Sequence, residues 1–349
     1  MRKKLSGIFA AMCTPLTDAG ETIDDGRMRE HIDYLIEAGV HGIVLNAGTG
    51  EFAYMRREEV QHINEVGGAH IAGRVPIISQ PSAVGLSETI EKSKAAIDAG
   101  VDALMVLPPY LESPFDRGIL FHYEQLANAV DASIVLYNIP DASGIEITPE
   151  LYRRLIAIDN IEYIKDSAGD IAKQQKLIAI GGGVLSGADP IAPFALMGGA
   201  VGLIWGAVNI MPHEAVRLWD LVQKGDYKEA MELWALMAPT NLFLWGNSLD
   251  VEYLGGVKAA TAMVGHDLGV SRRPQPPITG AGRIALQAAL SSLPINKLDR
   301  SRLVHHEWEE ERDWLVQMTK TGHLGGNTRR GFATGSLPED RVPKEGGES

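Results

Sequence analysis

The chain alternates short apolar runs, rich in branched residues, with longer stretches whose apolar positions recur at helical spacing. The runs at 8–14, 41–46, 75–80, 102–106, 133–137, 161–165, 184–186 and 201–205 are short and apolar on both faces, which predicts buried parallel strands. Between the first two, 24–38 places Met28, Ile32, Leu35 and Ile36 on one helical face. Stretches 56–71, 86–99, 118–130, 172–180 and 190–197 repeat that pattern. Gly39 and Gly100 stand where helices stop, and Thr148 ahead of Pro149 and Glu150 marks a helix start. Eight strands, each leading into a helix, predict a closed α/β fold, a (β/α)8 TIM barrel spanning 1–225. An open dinucleotide-binding sheet fits less well, because no glycine fingerprint follows the first strand.

Past residue 225 the alternation stops. Stretches 226–238, 249–264 and 279–293 read as further helices with no strands between them, so 226–298 is expected to form a C-terminal helical extension packed on the barrel. Residues 299–349 read as a charged helix over 300–319 followed by a glycine-rich polar tail, expected to be disordered.

Composition narrows the partners. With 349 residues, 45% hydrophobic, the chain can bury a large core. A net charge of -13 argues against nucleic acid or an anionic membrane surface as a partner. The single cysteine, Cys13, excludes an internal disulfide and suits a reducing cytoplasm, which is the expected location. Basic Arg2, Lys3 and Lys4 before an apolar run share two marks with a signal peptide. The run reads better as a first strand ended by Pro15, because Thr14-Pro15-Leu16 and Asp18-Ala19-Gly20 then form a loop into the first helix. No apolar run approaches the roughly 18 residues that span a membrane. The histidines form no ligand-spaced cluster, and neither a metal nor another cofactor is expected.

In such a barrel the chemistry sits where strands end. The second strand ends in Asn46-Ala47-Gly48-Thr49-Gly50-Glu51, whose backbone N–H groups could hold an anion or simply form a glycine turn. The fifth ends in Tyr137, a candidate proton donor that could equally be a core tyrosine. The sixth ends in Lys165, where burial opposes the charged form and favours a free amine able to attack a carbonyl; a snorkelling surface lysine is the alternative. Together an amine, a phenol and an anion cradle fit Schiff-base chemistry on a 2-oxo acid, with the iminium as electron sink.

Five segments at these strand ends resemble the dihydrodipicolinate synthase / N-acetylneuraminate lyase family of class I aldolases. They are Thr14-Pro15, Gly48-Thr49-Gly50-Glu51, Leu107-Pro108-Pro109-Tyr110, Tyr137-Asn138-Ile139-Pro140 and Lys165-Asp166-Ser167-Ala168-Gly169-Asp170. The resemblance runs from about Gly7 to Pro277. It implies Lys165 as the Schiff-base lysine, Tyr137 as proton relay, and Thr49 with Gly48 as the carboxylate site. It implies that Tyr110 crosses a dimer interface into a neighbouring site, and a homotetramer built as a dimer of dimers.

The departures from the family bear on substrate. Members that make dihydrodipicolinate carry an arginine two residues after the proline of the tyrosine motif; Ala142 stands there, which makes that condensation the less favoured reading. Ser143 and Gly144 resemble the sialic acid lyases, but those present an Asp-Glu pair after strand seven where this chain has Asp189-Pro190. Trp205 after strand eight would narrow the site or offer a stacking face; the alternative is that it packs outward among the helices. Ser143, Asp189 and Trp205 are therefore expected to line the substrate pocket with Gly48 and Thr49. The expected reaction is C–C cleavage or formation in a 4-hydroxy-2-oxo acid, with pyruvate as product or donor and an aldehyde as the other partner. Dehydration or deamination, or an aromatic hydratase-aldolase reaction, would use the same enamine. A catalytically silent 2-oxo-acid-binding scaffold would have no need of the lysine amine.

Overall fold

A computed structural model of the chain describes residues 2–17, 20–112, 114–246 and 251–293. Eight parallel strands close into a barrel in sequence order: β1 (Gly7–Ala11), β2 (Gly42–Leu45), β3 (Ile77–Ser79), β4 (Ala103–Val106), β5 (Ser133–Asn138), β6 (Ile161–Asp166), β7 (Gly183–Ser186) and β8 (Gly202–Trp205). Closure occurs where β1 pairs with β8, Gly7 against Gly202. Between the strands run α1 (Asp25–Glu37), α2 (Arg57–Ile71), α3 (Leu86–Asp98), α4 (Asp116–Ala129), a short α5 (Pro140–Ser143), α6 (Pro149–Leu155), α7 (Ile171–Ile180) and α8 (Ala192–Met197). The start signal at Thr148 operates as read: its side chain accepts the Leu151 N–H at the head of α6.

After β8, α9 (Pro212–Lys224) completes the eighth unit, and α10 (Tyr227–Trp245), α11 (Tyr253–Met263) and α12 (Gly280–Leu290) follow. The sequence pattern ended the first added helix at 238, before Pro239. Instead α10 continues through that proline to Trp245. Trp234, Met237, Thr240, Asn241 and Leu244 bury one face on both sides of it, against α9 and α12, and this packing outweighs the lost backbone hydrogen bond. The charged helix and tail expected at 299–349 lie outside the described residues. Among the described residues no helix is long and apolar enough to cross a membrane.

Alternation along the strands divides the core. Ile8, Ala10, Ile43, Leu45, Leu104, Leu136, Ile164 and Leu203 face the helices, while Phe9, Ala11, Val44, Ile78, Met105, Val135, Leu185 and Ile204 fill the interior. Because the register shifts around a tilted barrel, side chains at one height come from alternate strands. The pairings stack the interior in rings: Gly42, Ala103, Tyr163 and Gly202 lowest, then Phe9, Ile78, Val135 and Leu185. Above them come Val44, Met105, Lys165 and Ile204, and at the C-terminal mouth Ala11, Gln80, Tyr137 and Gly187. The lower rings pack by setting large residues over glycines. A Cβ at Gly42 would enter the Phe9 ring, and one at Gly183 the Tyr163 ring.

A register irregularity between β5 and β6 decides which residues of β6 reach the interior. The pairing passes from Ile134 with Ile161 to Val135 with Tyr163, leaving Glu162 as the extra residue, and Ser133 Oγ donates to its carboxylate. Ile161 consequently faces the helices, whereas Tyr163 two residues on faces inward. Lys165 follows Tyr163 in phase.

The β1–β8 seam leaves no room for a side chain at Gly202, where a Cβ would collide with the Gly7 carbonyl and stand 2.7 Å from its nitrogen. Gly202→Ala is expected to lower stability by about 1–3 kcal/mol in a urea titration. An unchanged midpoint would show that the seam can open without cost.

Candidate active site

Lys165 and Tyr137 are direct partners in the β5–β6 ladder, and the Lys165 Nζ stands 4.2 Å from the centroid of the Tyr137 ring. Both are 5% exposed. Glycine on the next strand makes room for the lysine: a Cβ at Gly187 would come within 2.6 Å of Lys165 Cε and collide with Ser167 Oγ. The next residues along both strands face outward and fasten them together. Asn138 Nδ2 donates to Asp166 Oδ1 at 2.6 Å, Asn138 Oδ1 accepts the Ile147 N–H at 2.8 Å, and Lys173 lies 3.7 Å from Asp166 and 2.8 Å from Glu146. Burial raises the Asp166 carboxyl above its ordinary range, against the lowering effects of Asn138 and Lys173. The Tyr137–Lys165 pair is thereby held from behind by a polar chain that does not enter the pocket.

The loop after β2 arches over the same end of the barrel. Asn46 begins it in the left-handed region (φ 56) and Glu51 ends it there (φ 63). Asn46 Nδ2 is held by the Val60 carbonyl and Asn64, and Thr14 Oγ1 donates to the Gly50 carbonyl at 2.7 Å. Glu51 is buried against Lys258 of α11 at 2.9 Å, and its other oxygen accepts the Arg272 N–H at 2.8 Å. The N–H groups of Glu51 and Phe52 are used inside the turn, while those of Gly48, Thr49 and Gly50 have no partner among the described residues. This leaves a short row of free donors, the arrangement that receives an anion. Gly48 abuts Tyr137, since a Cβ there would lie 3.8 Å from the phenol oxygen.

Asp189, after β7, is 1% exposed, and its Oδ2 accepts a hydrogen bond from Tyr253 of α11 at 2.7 Å. That phenol reaches the mouth beside Thr49, because a Cβ at Gly206 would strike the Tyr253 oxygen and approach Thr49 Oγ1 to 3.0 Å. Burial pushes the Asp189 carboxyl up to about 7; the Tyr253 hydrogen bond, the Trp205 indole and the Lys165 ammonium pull it down by less. Burial and the Asp189 charge hold the Tyr253 phenol protonated, well above its ordinary range. Asp189 Oδ1 and Trp205 Nε1 have no hydrogen-bond partner within bonding geometry among the described residues.

Lys165, Tyr137, Thr49, Gly48 and Asp189 thus converge. Two residues expected to line the pocket do not. Ser143 Oγ faces the Ile139 and Ile145 carbonyls at 3.0 Å each and accepts the Ile145 N–H at 3.2 Å, so its hydroxyl is consumed in its own turn. Trp205 packs in the helical layer, 6.2 Å centroid to centroid from Trp234, because the alternation that turns Ile204 inward turns Trp205 out. Tyr110 lies half-buried at the edge of the interior cluster, beside Leu111, which is 84% exposed with φ 80. Among the described residues no hydrogen bond joins Tyr110, Thr49 and Tyr137 into a relay. Two residues at the barrel mouth were not singled out from sequence. Tyr253 belongs to the extension and carried no local signal. Gln80 did carry one, a polar residue closing an apolar strand run as Lys165 does.

Comparison with known proteins places this geometry among relatives. A profile of the dihydrodipicolinate synthetase family matches residues 4–293. The 4-hydroxy-tetrahydrodipicolinate synthase of Methanothrix thermoacetophila is 31% identical over 293 residues, covering 82% of this chain and 96% of that protein. The crystal structure of a dihydrodipicolinate synthase from Bacillus anthracis superposes with a TM-score of 0.79 at 30% identity, covering 83% of this chain and 99% of that one. A prophage protein of E. coli K12 from the dihydrodipicolinic acid synthase family, solved in complex with pyruvate, gives 0.78 at 28% identity, with coverages of 83% and 99%.

The raised Asp189 carboxyl has a signed consequence for stability. Between the ordinary carboxylate range and about pH 7 the folded chain keeps a proton that the unfolded chain has lost, so this group's stabilising share declines as pH rises through that window. The melting temperature of Asp189→Asn, measured relative to the parent, is expected to climb from about pH 5 to about pH 8. A difference that stays flat would mean that Asp189 ionises as an ordinary carboxyl.

Proposed function

The chain belongs to the dihydrodipicolinate synthetase family and is a lyase of aldolase type; on that premise we propose that it cleaves or forms the C3–C4 bond of a 4-hydroxy-2-oxo acid through an iminium on Lys165, with pyruvate as product or donor. The observation that supports this reading is the Lys165 amine directly over the Tyr137 ring, at the buried mouth of the barrel and beside the free N–H groups of Gly48 and Thr49.

In the cleavage direction the substrate carboxylate takes the Gly48–Thr49–Gly50 N–H groups and the Thr49 hydroxyl, which presents C2 to the lysine. The neutral amine adds to the C2 carbonyl, and one N–H proton moves to the oxygen. Tyr137 protonates that hydroxyl, water leaves, and an iminium and a Tyr137 phenolate remain. The phenolate takes the C4 hydroxyl proton, the C3–C4 electron pair moves into the C2–C3 bond as the iminium becomes an enamine, and the aldehyde departs. Tyr137 then protonates C3 to restore the iminium. Water adds at C2 with a proton passing to the phenolate, and collapse releases pyruvate and the free amine. Each proton lent by Tyr137 is returned within the cycle.

The relatives named 4-hydroxy-tetrahydrodipicolinate synthase supply the competing condensation. Ala142 favours the simpler substrate, since it offers no guanidinium for a second carboxylate at the rim where the family's arginine would stand. Tyr110 and the neighbouring exposed Leu111 and Phe115 fit the tetrameric assembly proposed for the chain, in which Tyr110 reaches the site of an adjacent subunit.

Incubation with pyruvate and borohydride, followed by intact mass and peptide mapping, is expected to give one reduced adduct on Lys165, and none in Lys165→Arg. An adduct on another lysine, or none in folded protein, would overturn the Schiff-base assignment. Tyr137→Phe is expected to lower kcat for cleavage by about 10²–10⁴ while the protein still binds pyruvate. An unchanged kcat would remove Tyr137 from the proton path.

A further inference from the structure

Gln80 is fully buried, and both ends of its amide, Nε2 and Oε1, lack a hydrogen-bond partner among the described residues. The strand phase sets its direction. Ile78 belongs to the interior cluster, and Ser79 is turned out, where its hydroxyl donates to Asn64 Oδ1 at 2.7 Å. The Gln80 N–H still bonds the Leu45 carbonyl at 3.2 Å, so the ladder continues and Gln80 faces inward. The register puts it in the uppermost ring with Ala11, Tyr137 and Gly187, directly above the ring that holds Lys165. Two members of that ring, Ala11 and Gly187, have little or no side chain. An amide with none of its bonds made is costly to bury, and native proteins keep one where something else supplies the partners.

The chemistry of the group says what those partners are. A carboxamide offers donors at nitrogen and lone pairs at oxygen. A carboxylate can satisfy only the nitrogen and an aromatic ring neither end, whereas two neighbouring hydroxyls satisfy both. Resting on the Schiff-base reading above, we propose that Gln80 is a specificity-determining residue that reads a vicinal diol at C4 and C5 of the substrate, which selects a 2-oxo-3-deoxy sugar acid. Nε2 donates to the C4 oxygen, leaving that hydroxyl's own proton aimed at Tyr137 in the same ring, and Oε1 accepts from the C5 hydroxyl. The residue takes no part in the covalent step; it orients the O–H bond that must break and disfavours substrates that leave its amide unpaired.

The test compares the parent with Gln80→Met, which keeps length and flexibility but removes both polar ends. Three quantities are measured: borohydride trapping of pyruvate, kcat/KM for a 4,5-dihydroxy-2-oxo acid, and kcat/KM for 4-hydroxy-2-oxopentanoate. The parent is expected to prefer the diol by about tenfold or more, and Gln80→Met to erase that preference while trapping pyruvate within about twofold of the parent. A preference that survives the substitution overturns the proposal, as does a parent that traps pyruvate but does not discriminate between the acids. Equal loss of trapping and of both cleavage activities would assign Gln80 a purely structural role. A parent that traps no pyruvate defeats the Schiff-base reading itself, a result distinguishable from all of these.

Discussion

Lys165 stands buried at the mouth of a closed barrel with no ion pair among the described residues, and much of the molecule is arranged around it. Lys165 rises from the third interior ring onto the face of Tyr137. The nearest ion pairs are displaced. Asp166 is turned outward to Asn138 and Lys173, and Glu51 is paired with Lys258 behind the Gly48–Thr49 loop. Burial pushes the Asp189 carboxyl up to about 7, and its Oδ2 accepts the Tyr253 hydroxyl.

Barrel geometry supplies the room. The lower rings are filled by Phe9 and Tyr163 lying over glycines, which makes a packed floor. The upper ring reverses the pattern. Ala11 and Gly187 withhold side chains at the mouth where Tyr137 and Gln80 point inward above Lys165, so the site is built on a layer of the same core. Glycine at 187 and 206 serves this directly, because a methyl group at either position would displace Lys165 or the Tyr253 phenol.

The helical extension is part of the site. Lys258 and Tyr253 lie five residues apart on α11; one fixes Glu51 at the end of the Gly48–Thr49 loop and the other caps Asp189. Arg272 adds a second tie, with its N–H on Glu51 and its guanidinium on Glu59 at 2.6 Å. Removing one member of such a buried pair would strand a charge, which costs about 3–5 kcal/mol and makes the loop's position sensitive to helices more than 200 positions further along the chain.

The sequence by itself determined the order and kind of the eight strand–helix units and the strand ends carrying Lys165, Tyr137 and the Gly48–Thr49 turn. These are local properties: hydrophobic period, capping at Thr148, and glycine where the backbone must turn. It left open, or misassigned, whatever depends on phase and long-range contact. Trp205 and Ser143 sit at the correct strand ends, yet one rotation of the alternating pattern turns the indole outward and a local turn absorbs the hydroxyl. The extra residue at Glu162, which brings Tyr163 and Lys165 to the interior, arises from pairing with β5 and has no signature in its own segment. Only closure of the barrel, which stacks alternate strands into rings, sets Gln80 level with Tyr137, and only the packing of α11 brings Tyr253 to Asp189. The pattern along one strand says that a side chain is in or out; which other side chains share its height depends on the register of every strand between them.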